Sequence, residues 1–260
     1  MRQRIVTAVL ALLVLLVVLF VVAPIATRIA IGGLMLVGAW EWSDFLGTSG
    51  IAIRIVYVAL IGAMLVAVSL APATYTELLL MVSMAWWLAA LIWTFFFPTP
   101  IPTVIRWFSG AIVLVPLFVA LMFLYDIEPS ILLFALLIVW VADSGAYFAG
   151  KNFGRVKLAP RISPGKTWEG VIGGLAAVVL LIVGGSFWID TNLSVFVPFC
   201  LAVAAVSIVG DLTVSMFKRT AGVKDSGTLF PGHGGVLDRI DSVSAAAPLF
   251  ALGLSWSGLR

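Results

Sequence analysis

Three things are scarce in this 260-residue chain: thiols, imidazoles and ionised side chains. A single cysteine, Cys200, excludes an internal disulfide and argues against redox chemistry. A single histidine, His233, leaves no Cys/His metal spacing, and neither a Ser-His-Asp arrangement nor a dinucleotide fingerprint is present. Charged residues make up 10% of the chain, and no stretch of ordinary globular composition is long enough for a soluble domain. Alternating segments of ~10 residues are missing too, which excludes a β-barrel. What remains is 63% hydrophobic, with a mean hydropathy of +1.20. A soluble core of this length needs far less apolar residue. The chain therefore reads as an all-α, polytopic integral membrane protein, each span satisfying its own backbone polar groups.

Apolar runs of roughly 17 to 25 residues mark spans. Nine are readable: about Ile5–Val22, Ile25–Leu46, Ile51–Ala71, Glu77–Phe97, Trp107–Tyr125, Pro129–Ala149, Val171–Ile189, Leu193–Val214 and Ser242–Trp256. Prolines punctuate them, Pro24 after the first and Pro98, Pro100 and Pro102 after the fourth. The first two segments are joined almost without a loop, and a re-entrant segment there is the alternative. Arg2 and Arg4 ahead of the first run resemble a signal peptide, but the run is long and no small-residue cleavage site follows, so a retained span is expected. Residues 1–260 are expected to form one membrane domain, with 1–125 an N-terminal helical part and 126–260 a C-terminal part carrying the polar motifs.

Lysine and arginine set the orientation. With the N-terminus cytoplasmic and nine spans, thirteen of the fifteen basic residues fall inside, and only Arg28 and Arg260 fall outside. Glu77, Asp126, Glu128 and Asp190 also fall outside. An even number of spans scrambles this pattern. Both polar loops then face the cytoplasm, where nucleotides are found. The basic residues lie in short loops against a membrane, so nucleic acid is not an expected partner.

The few carboxylates stand out against this background. An Asp at mid-bilayer costs ~2.5 kcal/mol or more, which makes an intramembrane carboxylate a functional candidate. Asp143 in VWVADSGAYFAG, Asp211 in VGDLTVS, and Glu41 with Asp44 in WEWSDF all lie near the cytoplasmic ends of separate spans. Glu41 and Asp44 read equally well as ordinary interfacial residues. Carboxylates converging on a polar cavity suit a hard cation such as Mg²⁺. Asp238 and Asp241, three apart, share a helical face leading into the ninth span. The simplest reading makes Asp241 or Ser242 that span's N-cap; two carboxylates with an Arg between them favour a ligand role for Asp238, and leave Asp241 as cap, ligand or both.

Two loops carry phosphate chemistry. In PGHGG, Pro231 to Gly235, glycines let backbone N–H groups approach an anion. Lys218, Arg219, Lys224 and Arg239 surround it in sequence and can neutralise phosphate charge. His233 within the turn reads equally as a ligand contact or a structural loop histidine. The other loop holds SPGKTWEG, Ser163 to Gly170. A P-loop needs glycine where Pro160 stands and a buried parallel strand before it, so that motif is excluded. Lys166 beside a helix start at Thr167–Glu169 remains a phosphate candidate.

The segment Ser215 to Asp241, with its KR, KD, PGHGG and LDRID elements, closely resembles the signature of the bacterial phosphatidate cytidylyltransferase (CDP-diacylglycerol synthase) family. The likeness extends to GDL at Gly210–Leu212, to ADSGAYFAGKNFGRVKLAPRISPGKTWEG at Ala142–Gly170 and to WEW at Trp40–Trp42. It is strong over the C-terminal half and rests mainly on hydropathy in the N-terminal half. Ser144 stands where many relatives carry Thr. The resemblance implies condensation of CTP with phosphatidic acid to CDP-diacylglycerol and pyrophosphate. It also implies Mg²⁺, with a monovalent cation such as K⁺ alongside, in an inner-membrane homodimer whose site faces the cytoplasm. On that reading Asp211 and Asp238 hold the metal, with Asp143 and Asp241 as further ligands or water holders. Lys166, Lys218, Arg219, Lys224, Arg239, Ser163, His233, Gly234 and Gly235 contact substrate.

A CTP-dependent lipid kinase using the same groups on another acceptor is the alternative enzyme. A transporter is disfavoured, because the chain shows no internal repeat and its charges gather at one face, not at the midplane.

Overall fold

The computed structural model describes residues 2–48, 50–186, 192–229 and 234–256, with side chains from residue 9 onward. Nine helices lie within them: α1 Arg2–Phe20, α2 Pro24–Trp42, α3 Ile51–Leu70, α4 Thr74–Phe95, α5 Thr103–Ile127, α6 Pro129–Phe153, α7 Trp168–Gly185, α8 Leu193–Thr220 and α9 Leu237–Trp256. The protein is an all-α polytopic membrane protein. Six of these helices, α3 to α8, are long and apolar enough to cross a bilayer. Two of the others are more polar: α2 carries Arg28 and Glu41, and α9 carries Asp238, Arg239, Asp241 and three serines.

That polar helix is the one the others surround. α9 packs on α8, α5, α4, α6 and α2, and Asp241, Ser242, Ser244, Ala245 and Ala246 on it are all buried. Small residues allow the approach. A Cβ on Gly210 of α8 would overlap the Asp241 carbonyl of α9. By contrast α1 presents most of its described apolar residues outward and packs mainly on α2.

Helices overrun the apolar runs that mark them. α8 continues six residues past Val214, and α9 begins five residues before Ser242. Hydropathy marks where lipid contact ends, whereas an established helix keeps adding hydrogen bonds beyond it. As a result Lys218, Arg219, Asp238 and Asp241 sit on rigid helix, not in loops. The expected capping role of Asp241 or Ser242 is overturned by the same shift, since both lie inside α9.

Between α6 and α7 the chain forms an antiparallel hairpin, β1 Lys157–Ala159 and β2 Ser163–Thr167, where the sequence reads as a loop. Strands this short give no alternating pattern to read. The hairpin base is sewn to α7: Trp168 N donates to Val156 O at 2.9 Å, and Thr167 Oγ1 accepts from Gly170 N at 3.1 Å as the N-cap. Its turn is tied to α8 by Arg219 Nε, which donates to Ile162 O at 3.1 Å. Below it α6 and α7 press together through glycine: a Cβ on Gly145 would lie 2.7 Å from Ala177 Cβ and 2.9 Å from Gly173 O.

Candidate active site

α6, α7, α8 and the hairpin enclose an open cleft of about 430 Å³. One end is polar, with Asp143 from α6, Lys166 from β2 and Asp211 from α8. Much of the rest of its wall is apolar, with Val171, Leu175, Ala204 and Ile208, though Tyr147, Lys151 and Thr167 line it as well. The local fold explains each placement. Lys166 immediately precedes the capping Thr167, so the ordered hairpin-to-helix junction holds it over the cleft. On α8, Asp211, Ser215 and Lys218 follow at helical spacing and share a face.

The charged groups form one network. Lys166 Nζ meets Asp211 Oδ2 at 2.5 Å, and Ser215 Oγ donates to Asp211 Oδ1 at 3.0 Å. Asp143 feels the charges of Lys166, Asp211 and Arg239 and takes a hydrogen bond from the Ser242 side chain. Deeper, Lys218 Nζ donates to Asp238 Oδ1 at 2.8 Å and lies 3.8 Å from Asp241 Oδ2. Asp238 Oδ2 accepts from Ser226 N and Gly235 N, each at 2.9 Å. Asp211 also feels Lys218, which joins the two halves electrostatically.

The residues singled out in the sequence separate into groups. Asp143, Lys166 and Asp211 meet at the cleft, and Arg239 is exposed, its charge reaching Asp143. Asp238, Asp241 and Lys218 form the inner cluster, and Lys218 is only 7% exposed. Arg219 braces the hairpin turn through its Ile162 contact. Ser163 pairs with Ala159 at the turn end of the hairpin and is not among the cleft-lining residues. Lys224 is exposed. Gly235 donates to Asp238, and Gly234 turns the chain beside it with φ +79°, a conformation in which a Cβ would strike the Asp238 carboxylate. His233 lies outside the described residues. Asp44 pairs with Arg54 and not with the other acids.

Ser215, Ser226 and Ser242 were not anticipated. Ser215 had a readable signal, four residues after Asp211 on a helix. Ser226 and Ser242 had none, because their partners come from other elements.

The donor set can be weighed for a metal. Among the described residues no three Asp, Glu, His or Cys side chains converge as a ready ligand shell. The nearest approach is Asp143, Asp211 and Asp241, the charge of Asp211 acting on both others. A hard divalent ion such as Mg²⁺ needs only one or two carboxylates if substrate phosphates and water complete its shell, so Asp143 and Asp211 fit it. Asp211 and Asp238 both already hold protein partners on each oxygen, Asp211 with two and Asp238 with three, so a metal on either would have to share those oxygens with Lys166 or Lys218.

Residues 2–256 match the sequence model of the Cytidylyltransferase family. A phosphatidate cytidylyltransferase of Haemophilus influenzae is 37% identical over 283 residues, covering 96% of this chain and 97% of that protein. One of Pseudomonas aeruginosa is 40% identical over 266 residues, covering 99% and 97%. One of Staphylococcus aureus is 43% identical over 136 residues, about half of each chain.

Proposed function

We propose that this chain, which belongs to the cytidylyltransferase family, transfers a cytidylyl group from CTP to phosphatidate, giving CDP-diacylglycerol and pyrophosphate. The observation that carries the reading is the two-natured cleft, where Asp143, Lys166 and Asp211 share a largely apolar wall with Lys151. Such a cleft suits a lipid with an anionic head better than a wholly soluble substrate. The acyl portion would lie along Val171, Leu175, Ala204 and Ile208, bringing the lipid phosphate to Lys166.

A phosphate oxygen of the lipid attacks the α-phosphorus of CTP. The new P–O–P link forms as the α–β bridge breaks, and the electron pair leaves with pyrophosphate. A phosphate monoester has its second pKa near ~6, so the nucleophile is largely ionised at neutral pH and no strong base is required. Both reactants are anions, so catalysis rests on positioning and neutralisation. Lys166 and Lys151 are the cations on the cleft wall placed to meet phosphate oxygens, and the charge of Arg239 reaches Asp143. Lys218, buried among Asp238, Asp241 and Asp211, serves as their counter-ion and holds the carboxylates in place. Mg²⁺ held by Asp143 and Asp211, with Asp241 behind them, would supply further neutralisation of the triphosphate.

The site is assigned to the cytoplasmic face of a bacterial inner membrane, supported by the thirteen basic residues gathered at that side of the nine-span reading. One experiment tests activity and orientation together. Labelled CTP and Mg²⁺ are added to sealed membrane vesicles that contain the protein and phosphatidate. Inside-out vesicles should release pyrophosphate and form CDP-diacylglycerol, right-side-out vesicles should not, and Asp211→Asn should lower the rate ~100-fold or more. No product beside an active control synthase overturns the activity. Release of CDP in place of pyrophosphate identifies the lipid kinase.

A further inference from the structure

The carboxylate of Glu41 is the most deeply embedded one outside the network above. It sits on α2, 5% exposed, and among the described residues it makes no ion pair. A buried charge without a counter-ion persists only if its oxygens are saturated by donors. Its donors come from far along the chain. Val236 N donates to Oε1 at 2.9 Å, Leu237 N to Oε2 at 2.8 Å and Ser226 Oγ to Oε2 at 3.0 Å. The two amides lie at the start of α9, where the positive end of the helix dipole adds to the attraction.

The same short stretches serve Asp238. Ser226 gives its hydroxyl to Glu41 and its amide to Asp238. Gly235 gives its amide to Asp238, while the next two amides go to Glu41. The backbone is thus gripped between two carboxylates, one structural and one facing Lys218. The fit leaves no slack, since a Cβ on Gly227 or Gly235 would run into the Glu41 carboxylate. The amides that follow directly on PGHGG, the turn read from sequence as a phosphate cradle, already hold an anion supplied by the protein.

We propose that Glu41 is a positioning residue for the transfer reaction, fixing the start of α9 so that Asp238 and, through it, Lys218 keep their places. This rests on the cytidylyltransferase reading. Glu41 does not line the cleft. Its effect is relayed, so its loss should lower turnover while leaving substrate binding at the cleft intact.

The test compares Glu41→Gln and Glu41→Ala with the wild type in detergent, by steady-state kinetics and by peptide-level hydrogen exchange. Glu41→Gln keeps the size and one acceptor oxygen, and kcat should fall ~10-fold; Glu41→Ala should fall towards ~100-fold. KM for both substrates should stay within about threefold. Exchange should rise over residues 234–240 in both variants, more in Ala than in Gln, and remain as wild type in α3 and α7. Wild-type kcat in Glu41→Ala overturns the proposal, as does a kcat loss with unchanged exchange at 234–240. Raised exchange throughout the molecule in both variants also overturns it, because Glu41 would then be a general folding residue. If the wild type makes no CDP-diacylglycerol, the activity reading fails, while the exchange data still decide whether Glu41 holds the start of α9.

Discussion

Lys218 and Lys224 are six residues apart and look interchangeable as candidate phosphate contacts. One is buried against Asp238 and Asp241; the other is exposed. Removing one partner of a buried ionic cluster leaves uncompensated charge and costs about 3–5 kcal/mol, whereas an exposed substitution stays within ~0.5 kcal/mol. Lys218→Met should therefore lower the thermal unfolding temperature in detergent markedly, and Lys224→Met should hardly move it. Adding Asp238→Asn to Lys218→Met should recover part of the loss, because one orphaned charge is removed. At this scale the sequence revealed what depth along a span can reveal. Asp143, Asp211 and Lys166 were legible because charged residues close to the end of an apolar run stand out, and the structure brings the three to one cleft. Glu41 was not legible as an α9 anchor, since its donors lie 185 to 196 residues away. Nothing local separates it from Asp44, which simply pairs with Arg54.

Among the elements, the α6–hairpin–α7 unit does most to set the cleft. α6 and α7 make the most extensive helix contact in the molecule, and the hairpin between them carries Lys166. A Cβ on Gly173 would overlap Ala149 of α6, whereas one on Gly184 of the same helix meets nothing within 4 Å. Gly173→Val should wedge the helices apart, at about 1–3 kcal/mol, and shift Lys166 away from Asp211. Activity measured beside Gly184→Val should fall at least tenfold in the first and stay near wild type in the second. Helix identity was readable from apolar runs, but helix ends were not. The extra turns of α8 and α9 are polar, and they carry the charges that matter. The hairpin escaped notice because its strands are three and five residues long and its pairing is irregular.

Across the whole molecule, the site draws on both halves of the chain: α2 anchors the start of a helix that belongs to the far end of the sequence. The family signature is concentrated between Ala142 and Asp241, and its one element in α2 is WEW, Trp40–Trp42, with Glu41 at its centre. The position of α9 has a consequence for how such a protein is made. Every helix it packs on precedes it in the chain, so α2, α4, α5, α6 and α8 have all left the ribosome first. With Asp238, Arg239 and Asp241 in its opening turns, lipid is a poor solvent for it, and a socket walled by earlier helices is a better one. Biogenesis then has a built-in sequence of events in which the least lipophilic segment arrives when its berth exists. Fused alone to an insertion reporter, Leu237–Trp256 should stay outside the bilayer; preceded by the rest of the chain, it should enter. Equal insertion in both contexts would show that α9 needs no berth.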